Sequence, residues 1–132
     1  ISFLPSGLGW RGIQFRDPSQ DYNGGAGSVL RHTLIDVGYS IVIGSVGIGI
    51  ENSSPAIENS ELIGNGTQYL LFISDGAPRI AGNILDCLSR DCRESIHLEV
   101  GSNSPIETVL VFDRNTIRNS AIGMHFTCTN TP

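Results

Sequence analysis

Glu99, His97 and His125 are the residues of this chain whose types and spacing invite chemistry. They fall in short segments, Ile96-His-Leu-Glu-Val100 and Met124-His-Phe126, that alternate apolar with polar residues. Period-two alternation marks a strand with one buried face. With Ile50, Ile73, Val100 and Phe126 facing inward, the outward neighbours are Gly49, Phe72, Glu99 and His125. Two residues earlier on the same face come Gly47, Leu70, His97 and Gly123. Adjacent strands lie about 4.8 Å apart, so Glu99 and His125 become stacked neighbours, with His97 beside them. A carboxylate against an imidazole can do acid–base work. Glu99 and His125 are therefore catalytic candidates, and Asp75 is a third. Apolar Leu70 and Phe72 on an outward face mark either a covering loop or a contact surface. The ligand-binding candidates are thus Leu70, Phe72, His97, Glu99 and His125. The plainer reading of the Glu99–His125 pair is a solvated cross-strand contact worth roughly 0.2–1 kcal/mol.

The elements that must hold these residues form a repeat. In four segments an apolar residue is followed at +3 by a small polar residue, at +5 by an apolar residue and at +8 by a turn-type or polar residue. The copies are Leu30-Thr33-Ile35-Gly38, Ile57-Ser60-Leu62-Asn65, Ile80-Asn83-Leu85 (Leu88 breaking the last place) and Phe112-Asn115-Ile117-Ser120. A further short apolar strand precedes the second and third copies, Ile48 and Ile50 before Ile57, Leu71 and Ile73 before Ile80. Pro55 and Pro78 hold equivalent places in the intervening turns, where a missing N–H is tolerated. Each unit then holds two short strands with one apolar edge, buried only when units stack. No segment carries helical periodicity over three turns.

Two segments, Ser54-Pro-Ala-Ile-Glu-Asn-Ser-Glu-Leu-Ile-Gly-Asn65 and Ala77-Pro-Arg-Ile-Ala-Gly-Asn-Ile-Leu85, resemble the right-handed parallel β-helix repeat family, the group with pectate-lyase-like proteins and carbohydrate-binding and sugar-hydrolase domains. The resemblance spans roughly residues 10 to 132. It implies an all-β, right-handed parallel β-helix of about five coils with an incomplete last coil. It also implies that Thr33, Ser60, Asn83 and Asn115 stack as a polar ladder inside a bend, bonded to backbone or to each other.

By length, residues 1–132 make one domain. The chain starts at Ile1 and stops at Pro132 in mid-coil; the expectation is part of a longer β-helix, or an assembly in which the open final strand associates with another chain. Residues 1–9 are expected to cap the other end, with Trp10 over the core and Tyr22 as a further ring for a sugar. Net charge is −5, with eight Lys plus Arg and no lysine, so nucleic acid is a poor partner. The most apolar run, Ile41–Ile50, is too short and glycine-rich to insert in a membrane. Cys87 and Cys92 can close a disulfide, which points to an oxidising compartment; their spacing also suits two free thiols. Cys128 is then left as a buried thiol or as a partner for another segment. No Cys or His pair has zinc-ligand spacing, and no metal or other cofactor is expected. Asn52-Ser-Ser and Asn65-Gly-Thr match the N-glycosylation acceptor pattern. Three stretches depart from the coil as projecting loops: 16–28, 88–94 and 101–108.

Three functions follow as expectations. The first is an extracellular or cell-surface recognition or structural module, non-catalytic, with a glycan as partner. The second is a polysaccharide lyase, hydrolase or epimerase drawing on Asp75, Arg79, Asp86, Glu99, Asp113 and Arg114. The third is a subunit stacked end to end in a fibre.

Overall fold

A left-handed residue divides each copy of the repeat. His32, Asn59, Gly82 and Arg114 stand just before Thr33, Ser60, Asn83 and Asn115, and have φ between +48° and +66°. A strand cannot run through that conformation. Where the sequence suggests two strands per coil, there are therefore three. The computed structural model describes residues 2–3, 12–16, 27–39, 46–88, 92–101 and 110–129. Its strands are β1 (Ser2–Phe3), β2 (Ile13–Arg16), β3 (Val29–Arg31), β4 (Leu34–Tyr39), β5 (Val46–Glu51), β6 (Ala56–Glu58) and β7 (Glu61–Asn65). There follow β8 (Tyr69–Ser74), β9 (Arg79–Ala81), β10 (Ile84–Cys87), β11 (Glu94–Gly101), β12 (Val111–Asp113), β13 (Thr116–Arg118) and β14 (Ile122–Thr129).

Each coil gives one strand to each of three sheets, ordered β2-β5-β8-β11-β14, β3-β6-β9-β12 and β1-β4-β7-β10-β13. Each strand pairs in parallel with its counterpart one coil away. The fold is an all-β parallel β-helix. No helix occurs among the described residues, so none is long and apolar enough to cross a membrane. Of the expected N-terminal cap, Ser2 and Phe3 lie in the described part, paired in parallel with Leu34 and Ile35; residues 4–9, Trp10 and Tyr22 lie outside it. Most of the expected loops 16–28 and 101–108 also lies outside it.

The interior is a set of aliphatic rows, one residue per coil. Ile35, Leu62, Leu85 and Ile117 form one row and Leu30, Ile57, Ile80 and Phe112 another. Ile13, Ile48, Leu71, Ile96 and Met124 make a third, and Phe15, Ile50, Ile73, Leu98 and Phe126 a fourth. The rows are buried at mid-stack, Ile50 and Ile73 at 0% exposure, and open at the β14 edge, where Phe126 is 55% exposed. Cys128, on the same side of β14, is a free exposed thiol rather than a core residue.

Thr33, Ser60, Asn83 and Asn115 form the ladder that the resemblance implies. Thr33 N–H donates to Ser60 Oγ at 3.2 Å, Ser60 N–H to Asn83 Oδ1 at 2.9 Å and Asn83 N–H to Asn115 Oδ1 at 3.0 Å. The amides also tie the coils: Asn83 Nδ2 donates to the Ile57 carbonyl and Asn115 Nδ2 to the Ile80 carbonyl, both at 2.8 Å. These bonds satisfy polar groups that the bend removes from sheet pairing. Pro55 and Pro78 sit immediately before β6 and β9 and act through their carbonyls, which accept Arg79 N–H at 3.0 Å and Val111 N–H at 3.3 Å.

The turn from β8 to β9 depends on Gly76. Its φ is +110°, and a Cβ there would run into the Ser53 carbonyl oxygen of the adjacent coil. Gly76→Ala is expected to cost about 1–3 kcal/mol through strain, seen as a lower urea midpoint; an unchanged midpoint would show that this turn relaxes freely.

A charge clamp crosses three successive strands of the β3-β6-β9-β12 sheet, β3, β6 and β9. Glu58 accepts from Arg31 at 2.6 Å and from Arg79 at 2.8 Å. Hydrogen bonding from Arg79, then from Arg31, holds its carboxyl below the usual range. Such a group stabilises the fold above its unfolded pKa and loses that contribution as pH falls through its lower folded value. Both arginines are at least 40% exposed, so solvent screening limits each pair to at most about 1 kcal/mol. Glu58→Gln should therefore lower the unfolding midpoint at neutral pH and match the parent chain in acid. A difference that persists in acid would contradict this role.

Candidate functional site

The outward face of the β2-β5-β8-β11-β14 sheet gathers the candidate residues, in a register two residues removed from the expected one. Leu98, not Val100, stands beside Ile73 and Phe126, so Phe72, His97 and His125 are the stacked neighbours and Glu99 faces Ser74 and Thr127. A shift of two keeps every side chain on its face while changing each partner. Glu99 and His125 are therefore not register neighbours. The signal that finds the true register is the triplet centred on each outward residue: Ile48-Gly-Ile50, Leu71-Phe-Ile73, Ile96-His-Leu98 and Met124-His-Phe126.

Rings occupy this face as a stack. Phe72 and His97 are near parallel, with centroids 5.6 Å apart and planes at 10°. His125 meets His97 edge-on at 5.0 Å. Tyr69 contacts both Phe72 and His97, at 5.7 and 4.7 Å. One coil beyond Phe72 the row continues with Gly49 and then Gln14. The Gln14 amide fills the space that a Cβ on Gly49 would need. Glycine at that position thus lets a polar amide settle in the row next to Phe72.

Leu70 is not on this face. It is 0% exposed and packs in the core, where its Cδ2 and the Thr67 Oγ1 leave no room for a side chain on Gly64. Leu70 and Leu71 are successive buried residues, so period two fails at the start of β8 and cannot be counted back from Ile73.

Glu94, which the sequence places in the charged 88–94 loop, joins this face. Glu94 opens β11 in register with Tyr69 and Ile122 and is only 1% exposed. Its Oε2 lies 2.6 Å from His97 Nδ1, its Oε1 3.3 Å from His125 Nδ1, and its Oε1 3.6 Å from Arg93 Nε. Glu99 Oε1 lies 3.2 Å from the other nitrogen of His97, Nε2. His97, itself 7% exposed, is thus held between two carboxylates. One ligand atom each from Glu94, His97 and His125 falls within a 4.8 Å span. Only the strand register reveals this group, because its members are 3 and 28 residues apart in the chain.

The remaining acid–base candidates are dispersed. Asp75 turns the corner after β8 at φ +55°, and its N–H donates to the Glu99 carbonyl at 3.1 Å. Arg79 is engaged by Glu58. Asp86 accepts from Arg118 and Asn119, both at 2.7 Å. Arg114 pairs with its neighbour Asp113 at 3.0 Å. Glycoside hydrolysis needs two carboxyl groups facing each other across open space for the sugar. Between Glu94 and Glu99 that space holds the His97 ring, and Glu94 is closed to substrate.

Cys87 and Cys92 are joined by a disulfide, with Cα atoms 5.5 Å apart, at the corner leading into β11. It clamps the backbone two residues before Glu94. Of the two glycosylation patterns, Asn52 is exposed after β5, while Thr67 of the second is fully buried in the fold. Comparison of the chain with protein-family models, with curated proteins and with solved structures finds no match.

Proposed function

We propose that this chain is a non-catalytic recognition module of the pectate-lyase-like β-helix type, and that it binds a glycan along the outward face of β5, β8, β11 and β14. The observation that carries this reading is the ring row Phe72–His97–His125, flanked by Tyr69, beside polar groups that include Gln14 and Glu99. Sugars are recognised by apolar C–H faces set on rings while hydroxyls bond to nearby amides and carboxylates, the few convergent polar groups on an apolar floor that suit small ligands. A row fixed on rigid strands, one coil apart, suits an extended chain better than a compact molecule. The Cys87–Cys92 disulfide and the exposed Asn52 acceptor support a place outside the cell or at its surface.

A screen of the purified chain against immobilised polysaccharides tests this. Binding without new reducing ends or unsaturated products is expected. Phe72→Ala should weaken binding at least about tenfold, as for an aromatic anchor worth about 1.4 kcal/mol or more. Cleavage products, or a Phe72→Ala variant that binds as well as the parent chain, would overturn it.

An assembly role is the second reading. Met124 and Phe126 belong to inward rows yet are 46% and 55% exposed, and Ile122 is 42% exposed. A second copy covering this edge would extend the rows by one coil. Sedimentation should then show association that rises with concentration and falls in Phe126→Asp; a monomer at every concentration would contradict it.

A further inference from the structure

We propose that Glu94, His97 and His125 form a site for a divalent transition metal, Zn²⁺ being the best fit, with Glu99 as the positioning carboxylate for His97. This inference is independent of the glycan reading. Two imidazoles and one carboxylate are a donor set suited to Zn²⁺ and its first-row neighbours, in contrast to the all-oxygen sets of Ca²⁺ and Mg²⁺. Zinc bonds of about 2.0–2.1 Å at tetrahedral angles set ligand atoms about 3.3 Å apart. Glu94 Oε1 and His125 Nδ1 already stand 3.3 Å apart. Glu94 Oε2 and His97 Nδ1 stand 2.6 Å apart, so the carboxylate reaches one imidazole with each oxygen; one ligand atom from each of the three residues falls within 4.8 Å, and metal binding would draw the group together.

The second observation is the partner of His97. Metal-bound histidines nearly always donate the free ring N–H to a carboxylate or carbonyl, which fixes the tautomer and the ring plane. His97 Nε2 faces Glu99 Oε1 at 3.2 Å. The 2.6 Å contact of His97 Nδ1 with Glu94 Oε2 is a hydrogen bond that takes a proton on Nδ1; a metal bound at Nδ1 would displace that proton and leave Nε2–H to donate to Glu99. Phe72 stacked on one side and Tyr69 close by hold the ring in place. A carboxylate as buried as Glu94 requires a cation or strong donors nearby. Among the described residues its arginine partner is Arg93, at 3.6 Å with a 67% exposed side chain, a weak counter-charge beside which a metal would supply most of the positive charge. His125, with a 47% exposed side chain, leaves the remaining coordination position open to water or to an exchangeable ligand.

The test uses chelator-treated protein titrated with Zn²⁺ alone, by calorimetry and by competition with a chromophoric chelator. One equivalent should bind at micromolar protein, raise the unfolding temperature and move the ring ¹⁵N signals of His97 to those of an Nδ1-ligated, Nε2–H tautomer. His125→Gln, changed at an exposed side chain, should lose at least about tenfold in affinity. Glu99→Gln should lose about 10–100-fold and also lose the single-tautomer ¹⁵N signature. His32→Asn, which removes the histidine on another face, should bind as the parent does. Absence of equimolar binding, equal affinity in His125→Gln, or loss in His32→Asn would each overturn the assignment.

Discussion

Asn83→Ala should be among the most destabilising single substitutions in this chain, lowering stability by roughly 2–5 kcal/mol. Asn83 is 1% exposed. Its Oδ1 accepts Ser60 N–H, and its Nδ2 donates to the Ile57 carbonyl and to Asn115 Oδ1. Truncation leaves the buried Ser60 N–H without its acceptor, at a cost of about 1–3 kcal/mol, and removes the two bonds that Nδ2 donates, each worth about 0.5–1.5 kcal/mol. Thr33→Ala gives the internal comparison. Among the described residues, Thr33 Oγ1 donates to the Arg31 carbonyl at 3.1 Å, and the loss of that bond should cost about 1 kcal/mol. Urea denaturation of both variants checks the ranking. Equal midpoints would mean that the ladder does not tie the coils together.

Ile73→Ala should cost about 2–5 kcal/mol, through lost burial and the cavity left in a row that cannot collapse. Ile73 is 0% exposed between Ile50 and Leu98. Phe126, in the same row at the β14 edge, is 55% exposed. Although phenylalanine is the larger side chain, Phe126→Ala should cost well under half as much, because much of its surface is already in water. Thermal or urea unfolding of the pair measures the gradient along one row. A larger loss at Phe126 would mean that the free chain buries this edge, as the assembly reading predicts at high concentration.

The sequence discloses the coil architecture because the constraint behind it recurs. Every coil needs an inward aliphatic residue before and after a bend, and a side chain able to bond backbone inside that bend, so Leu30-Thr33-Ile35 and its three later copies repeat. The third strand of each coil escapes notice because its cause is conformational: the positions of His32, Asn59, Gly82 and Arg114 share a positive φ but no residue type. The site is harder to read, because a binding group is not repeated. Phe72, His97, Glu99 and His125 could be assigned to the outward face by alternation. Their partners could not, since a two-residue shift leaves that alternation unchanged. Leu70 defeats alternation at the start of β8, and Glu94 hides at the start of the next strand of that sheet, β11, one residue after an exposed arginine and two after a disulfide cysteine.

The site depends on the register that puts His97 between Phe72 and His125. A nuclear Overhauser spectrum of the chain with isotope-labelled aromatic rings reads that register directly. With centroids 5.6 and 5.0 Å away, the His97 ring should show cross-peaks to the rings of both Phe72 and His125. Cross-peaks from His125 to the Glu99 side chain, with none between His125 and His97, would restore the two-residue shift and dissolve the site.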